Sequence, residues 1–185
     1  MDFLAQLWLP ILVSAVLVFI ASSVIHMVVQ WHKPDYHGFS NEEAVRSAIN
    51  AGKPAPGQYI VPYCSDMKDM QKPEMMKKFE EGPVAFMTLR APCTPKMGGS
   101  LAMWFAFNVA IAIIAAYIAA KVLPANASFG QVFRVVGTLA FVAYAGGSVQ
   151  MGIWMGKPWS SVAKEMLDAL IYGALTAGTF AYLWR

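Results

Sequence analysis

Four runs of almost uncharged residues, each about 20 long, set the limits on what this chain can fold into. They extend from about Leu9 to Val29, Leu101 to Leu123, Val132 to Met155 and Met166 to Trp184. At about 1.5 Å of rise per helical residue, about 20 residues cross the roughly 30 Å of hydrocarbon in a bilayer. Lipid offers no hydrogen bonds, so a spanning run has to satisfy its own backbone, and each is expected to be an α-helix. A soluble helix would show a polar stripe, and Leu139 to Ala145 and Leu170 to Thr179 have almost nothing for water to solvate. The charges are segregated to match: Asp2 is the only charge in residues 1–32, and most of the others fall in residues 33–96. With 57% hydrophobic and 14% charged residues, against about 45–50% and 25% in ordinary soluble domains, a lipid bilayer has to be part of the solvent. The expected class is an all-α integral membrane four-helix bundle carrying a small α/β extramembrane insertion. Its parts are a first transmembrane helix in 1–32, the insertion in 33–99 and three transmembrane helices in 100–185.

The first run lacks a basic leading region and a small-x-small cleavage site, so it reads as a retained anchor. Helices in oil associate through small residues, and three stripes are available: Ala112, Ala116 and Ala120; Ala143 and Gly147, then Gly152 and Gly156; Gly173, Ala177 and Ala181. A second use of these stripes would be a homodimer or larger membrane assembly. Trp8, Trp31, Trp104, Trp154, Trp159 and Trp184 lie near the proposed helix ends, where amphipathic rings anchor. Gly156 and Pro158 predict a tight interfacial turn over Lys157 to Ser161. The basic residues near the spans favour a cytoplasmic side for the 33–99 segment. No compact Lys/Arg block with interleaved aromatics is present, which sets nucleic acid aside.

The insertion is too long for a plain loop. Ser40 with Glu43 spells a capping box for a helix over Glu42 to Asn50, and Pro73 opens a second helix that Gly82 closes after Glu81. Extended stretches at Gln58 to Tyr63 and Val84 to Leu89 flank that second helix. A strand, a helix and a strand in this order predict one right-handed crossover with parallel strands, which would bring Cys64 and Cys93 to the same edge. An antiparallel pairing would separate them.

The residues able to bind or react concentrate between His26 and Met97. All three histidines, His26, His32 and His37, lie within twelve positions, and Pro34 is expected to break the first helix and let His37 fold back. His32, His37, Cys64 and Cys93 form the candidate metal set, with Met67, Met70 and Met97 as further soft donors suited to Cu(I) or, with histidine, zinc. A disulfide and plain free thiols are the alternatives. His26 follows Ser22 by four positions near the end of the first span and is a candidate ligand-binding group, together with Asp168 and Tyr172 in the fourth span. Asn108, Tyr144, Gln150 and Thr176 can join a polar interior. Asp168 has Lys164 one turn before it and is expected to face inward, because an acid facing lipid is costly. Gly152, Gly156, Pro158 and Trp159 are read as structural. No GxSxG, GxxxxGK or HExxH motif is present, so no enzyme signature names a reaction or a cofactor.

Trp154, Gly156, Lys157, Pro158, Trp159, Asp168, Tyr172, Gly178 and Trp184 resemble the ending of a family of small four-span bacterial membrane proteins of uncharacterised function. In that family a W-x-G-K/R-P-W turn precedes a last helix with an inward Asp and a Tyr, and the first helix ends in a tryptophan segment followed by lysine, here Trp31 and Lys33. The likeness covers about the last 50 residues best, while the 33–99 insertion and the histidines depart from it. It implies four helices in a bacterial inner membrane and carries no activity across. The function expected first is therefore a non-enzymatic accessory subunit or small binding or transport component. The alternatives are a metal- or redox-active protein using the His/Cys/Met set, and a membrane enzyme acting on a lipid or quinone.

Overall fold

The computed structural model describes residues 2–184 and shows four long apolar membrane-spanning helices with a small α/β insertion between the first two. The chain divides into two compact units: 1–36 with 96–185, and 37–95.

In the first unit, α1 (Asp2–Ser23) winds on into a six-residue π-helical segment, Val24–Val29. The helix stops there, earlier than Pro34, because Gln30 takes a left-handed conformation (φ 54°) and its N–H returns to the Ile25 carbonyl. Pro34 lies instead inside a short 3-10 turn, Lys33–Asp35. The other spans are α4 (Met97–Val122), α5 (Phe129–Met155) and α6 (Trp159–Leu183). Each begins earlier than its apolar run, since helix caps and first turns tolerate polar residues that hydropathy excludes. At α5, Ser128 and Gln131 form a capping box. At α6, Pro158 is the N-cap and Trp159 to Ser161 are already helical, so the expected five-residue turn contracts to Gly156, Lys157 and Pro158. Gly156 adopts φ +67° and lets the Lys157 N–H reach back to the Met151 carbonyl, a glycine-dependent helix stop.

α5 packs most extensively on α6, and α4 on α1. Gly173 brings α6 onto the α5 backbone: a Cβ there would lie 3.2 Å from the Phe141 nitrogen. Ala177 and Ala181 continue this buried stripe. On α4 the buried stripe is Ala112, Ala115, Ala116 and Ala119, with Ala120 outside. The expected stripe at Ala143 and Gly147 is exposed, and at Gly147 a Cβ would meet open space. Gly152 packs on Val162 and Trp159. A core of Leu7, Ile11, Ala112, Ala116, Val132, Val136 and Phe180 closes the bundle at the α4–α5 end. At the other end α4 has no buried residue before Asn108, and α5 has none after Ala145. Two tryptophans turn inward from the expected boundary: Trp104 donates to Ser22 Oγ (2.8 Å), and Trp31 reaches Asp168.

The second unit holds α2 (Glu42–Ala51), β1 (Gly57–Val61), a 3-10 turn (Met67–Gln71), α3 (Pro73–Glu81) and β2 (Ala85–Leu89). The expected Ser40 capping box does not form: Asn41 is the N-cap and makes no side-chain cap bond. The strands are antiparallel, Val61 pairing with Ala85 and Gly57 with Leu89, which corrects the parallel crossover. The reason lies in the sheet itself. A parallel pair needs both faces covered, whereas most β1 residues are exposed, and the antiparallel pair tolerates open faces. Cys64 and Cys93 therefore leave opposite ends of the ladder, both as free thiols, and the shared site expected between them is not formed.

Candidate metal centre

A straight helix would place His26 and His32 on different faces, nearly two turns apart. The π segment and the left-handed Gln30 fold the chain back so that the two rings meet edge to face, 5.1 Å between centroids. Single-turn π segments recur at functional sites because they re-aim side chains without ending the helix. The returning turn is fastened to α6 at three points. Trp31 Nε1 donates to Asp168 Oδ1 (3.1 Å), His32 Nε2 lies 2.7 Å from Asp168 Oδ2, and Lys164 Nζ donates to the Trp31 carbonyl (2.8 Å). Lys164 also donates to Asp35 Oδ1 (2.6 Å), whose other oxygen lies 3.3 Å from His32 Nδ1. The Lys164 ammonium and, less strongly, His32 hold the Asp35 carboxyl below its usual range, against some desolvation. Lys164 is thus committed to Asp35 rather than to Asp168, its neighbour one turn on.

Each nitrogen of His32 faces a carboxylate oxygen. A neutral imidazole has one N–H to give. If Nε2 gives it, the 2.7 Å contact with Asp168 Oδ2 is an ordinary hydrogen bond; if Nδ1 gives it to Asp35, Nε2 presents a lone pair that is free to bind a metal ion beside Asp168 once the pair opens. A carboxylate holding Nδ1–H while Nε2 binds is the usual outer support of a histidine metal ligand.

His26, His32 and Asp168 each offer one ligand atom, and these atoms lie within 4.8 Å of one another. A tetrahedral ion about 2.1 Å from each ligand asks for separations of about 3.4 Å. The His32–Asp168 pair has to open slightly and His26 to swing inward; His26 is exposed and free to do so. Asp168 is 5% exposed and faces the bundle. Two imidazoles and one carboxylate suit borderline divalent ions and leave coordination positions open.

Among the described residues this is the one group of three metal-capable side chains. It unites His26 and Asp168, read as ligand-binding, with His32 from the expected metal set. His37, Cys64 and Cys93 belong to the second unit. There Cys64 Sγ donates to the Asp66 carbonyl (3.0 Å), and Met67 is exposed. Ser22 does not pair with His26, because its hydroxyl donates to the Phe19 carbonyl and accepts from Trp104.

The centre opens onto a cleft of about 600 Å³ between the four helices, lined in part by His26, Asp168, Tyr172, Tyr144, Trp104 and Phe107. Tyr144 and Tyr172 meet edge to face at 5.4 Å, and Tyr144 donates to Asn108 Oδ1 (3.1 Å). Asn108 Nδ2 is buried without a partner among the described residues. Of the other expected interior polar groups, Thr176 donates to its own helix at Tyr172, and Gln150 is exposed.

Comparison with protein-family models, curated proteins and solved structures finds no match, so the side chains themselves carry the functional argument.

Proposed function

We propose that this membrane protein binds one divalent transition-metal ion through His26, His32 and Asp168, with Asp35 supporting His32. The observation that carries the reading is the convergence of His26, His32 and Asp168, whose ligand atoms lie within 4.8 Å of one another, with a carboxylate behind the His32 imidazole. Of the functions open to the sequence, a metal-active protein fits this arrangement better than a purely passive subunit. The likeness of the last 50 residues to the small four-span bacterial family would place the centre in an inner membrane, and the basic residues near the spans favour its cytoplasmic face. The test is metal content. Full-length protein reconstituted in nanodiscs and exposed to Zn²⁺ or Co²⁺ should retain one ion per chain, and His26→Ala should lose it. The His26 side chain makes no hydrogen bond among the described residues, so this variant should keep its fold. Native protein that retains no ion after equilibration would overturn the proposal.

A second reading rests on the same 2.7 Å contact. The Nε2–H of His32 donates to Asp168 and latches the end of α1 to α6 with no metal, as a structural part of an accessory or transport subunit. In that case His26→Ala changes nothing, while His32→Ala loosens the helix end.

A further inference from the structure

The bundle is closed at one end and open at the other, and the open end is where the candidate metal centre lies. Met97 to Met103, the first two turns of α4, are exposed, and on the facing part of α5 so are Ala143, Gly146 and Gly147. The gap between these helix ends is the cleft described above. Its walls are chiefly aromatic and aliphatic, with Trp104, Phe107 and Tyr144 mutually within 6.3 Å, and its polar lining includes His26, Glu165 and Asp168. Gly147 lines it with open space where a Cβ would point. The small residues of α5 therefore keep a passage open instead of packing a helix.

We infer that the cleft admits from the bilayer a single-chain amphiphile, its hydrocarbon chain between α4 and α5 and an oxygen-donor head on the metal ion. The position of the head rests on the metal reading; the path of the chain rests on the cleft alone. Three observations converge on this occupant. His26 and Asp168 belong both to the ligand set and to the cleft wall, so an oxygen at the open coordination positions has the cleft as its continuation. The uncovered flank lies on spans long and apolar enough to sit in hydrocarbon, so a chain enters from lipid without crossing water. The volume, about 600 Å³, falls within the roughly 300–1,000 Å³ of ligand clefts, with the apolar lining and few convergent polar groups typical of them.

The experiment uses full-length native protein and Gly147→Leu in nanodiscs, with dodecanoate and acetate as probes. Loaded with Co²⁺, native protein should change its visible spectrum at a dodecanoate concentration at least about tenfold below that needed of acetate. Gly147→Leu should keep its cobalt stoichiometry and lose that preference. A metal-free arm measures quenching of tryptophan fluorescence by a doxyl-labelled fatty acid, which should be stronger in native protein than in Gly147→Leu because Trp104 lines the cleft. Equal potency of acetate and dodecanoate, together with quenching indifferent to Gly147→Leu, would overturn the proposal while leaving cobalt binding intact. Failure to bind cobalt with quenching still dependent on Gly147 would remove the metal reading and retain the chain path. A shift from dimer to monomer in Gly147→Leu, with no change in probe binding, would assign the cleft to a second copy of the chain and also overturn it.

Discussion

Asp35 offers the most discriminating test of the centre, because it touches no metal ion itself. Its Oδ2 lies 3.3 Å from His32 Nδ1, which donates to it in the proposed metal-bound state, and Lys164 donates to its Oδ1 at 2.6 Å. Removing such an outer partner usually lowers metal affinity by about 10–100-fold, equivalent to about 1.4–2.7 kcal/mol. The 3.3 Å separation is long for a charge-assisted bond, which places Asp35→Asn at the lower end, about tenfold, since its amide oxygen still accepts from Nδ1. Asp35→Ala leaves Nδ1 without its acceptor and should approach the upper end, about 100-fold. Lys164 is not stranded in either variant: its side chain is 30% exposed, and it keeps the Trp31 carbonyl. The unfolding cost of losing its ion pair is accordingly small. Chelator-competition titration of zinc on nanodisc-reconstituted protein would give the affinities, with His26→Ala as the larger, ligand-removing control. An Asp35→Ala protein that binds zinc as tightly as the native one, while His26→Ala does not, would refute the supporting role assigned to Asp35.

Three further outcomes follow from the packing. Gly173→Leu should push α6 off α5, since even a Cβ lies 3.2 Å from the Phe141 nitrogen and backbone cannot yield; a loss of about 1–3 kcal/mol is expected in denaturant titration, and unchanged stability would contradict the close crossing. Asn108→Leu with Tyr144→Phe should be nearly neutral or stabilising, because it removes both members of a part-buried bond and the unpartnered Nδ2 together, whereas Asn108→Leu alone leaves the Tyr144 hydroxyl without that acceptor, at the lower end of about 1–3 kcal/mol. Cys64 and Cys93 should alkylate freely and resist joining by a short bifunctional reagent, since roughly 14 Å of ladder separates the strand ends they follow; efficient crosslinking would restore the parallel arrangement.

The spans could be read from sequence because the bilayer imposes one rule on every residue, apolar or costly, over a fixed length. Their ends could not, because caps obey local chemistry instead. Ser160, Ser161, Lys164 and Glu165 lower the hydropathy of α6, yet the helix starts at Trp159, where Pro158 sets the N-cap. The insertion shows the complementary case. Pro73 to Glu81 matches its expected bounds, being closed by its own Pro and Gly, but strand direction depends on whether the sheet faces are covered, and that is a property of tertiary structure. The stripe of Ala143 and Gly147 illustrates a further ambiguity: small residues permit close helix approach and equally permit an open cleft, and only the position of the facing helix decides between them.

The candidate centre was partly visible in the same way. Asp168 had to face inward because it carries charge within a span, and His26 drew attention because it lies at the end of one. Their junction through His32 was hidden, since helical periodicity separates residues six apart, and only the backbone change at Gln30 reverses that. A signal was nonetheless present in residues 30–36: a tryptophan, a histidine, a lysine, a proline, an acid and a tyrosine, too polar to continue the span and too short to form more than a single turn. Such a segment has to place its polar groups somewhere, and the uncompensated acid of the last span is the partner that needs them. Trp31 and His32 together occupy both oxygens of Asp168, which leaves the carboxylate without unmet demand unless His32 gives up its proton to a metal ion. The proton fits the 2.7 Å contact as it stands, whereas the proposed ion needs the pair to open to about 3.4 Å, so proton and ion are alternatives at Asp168.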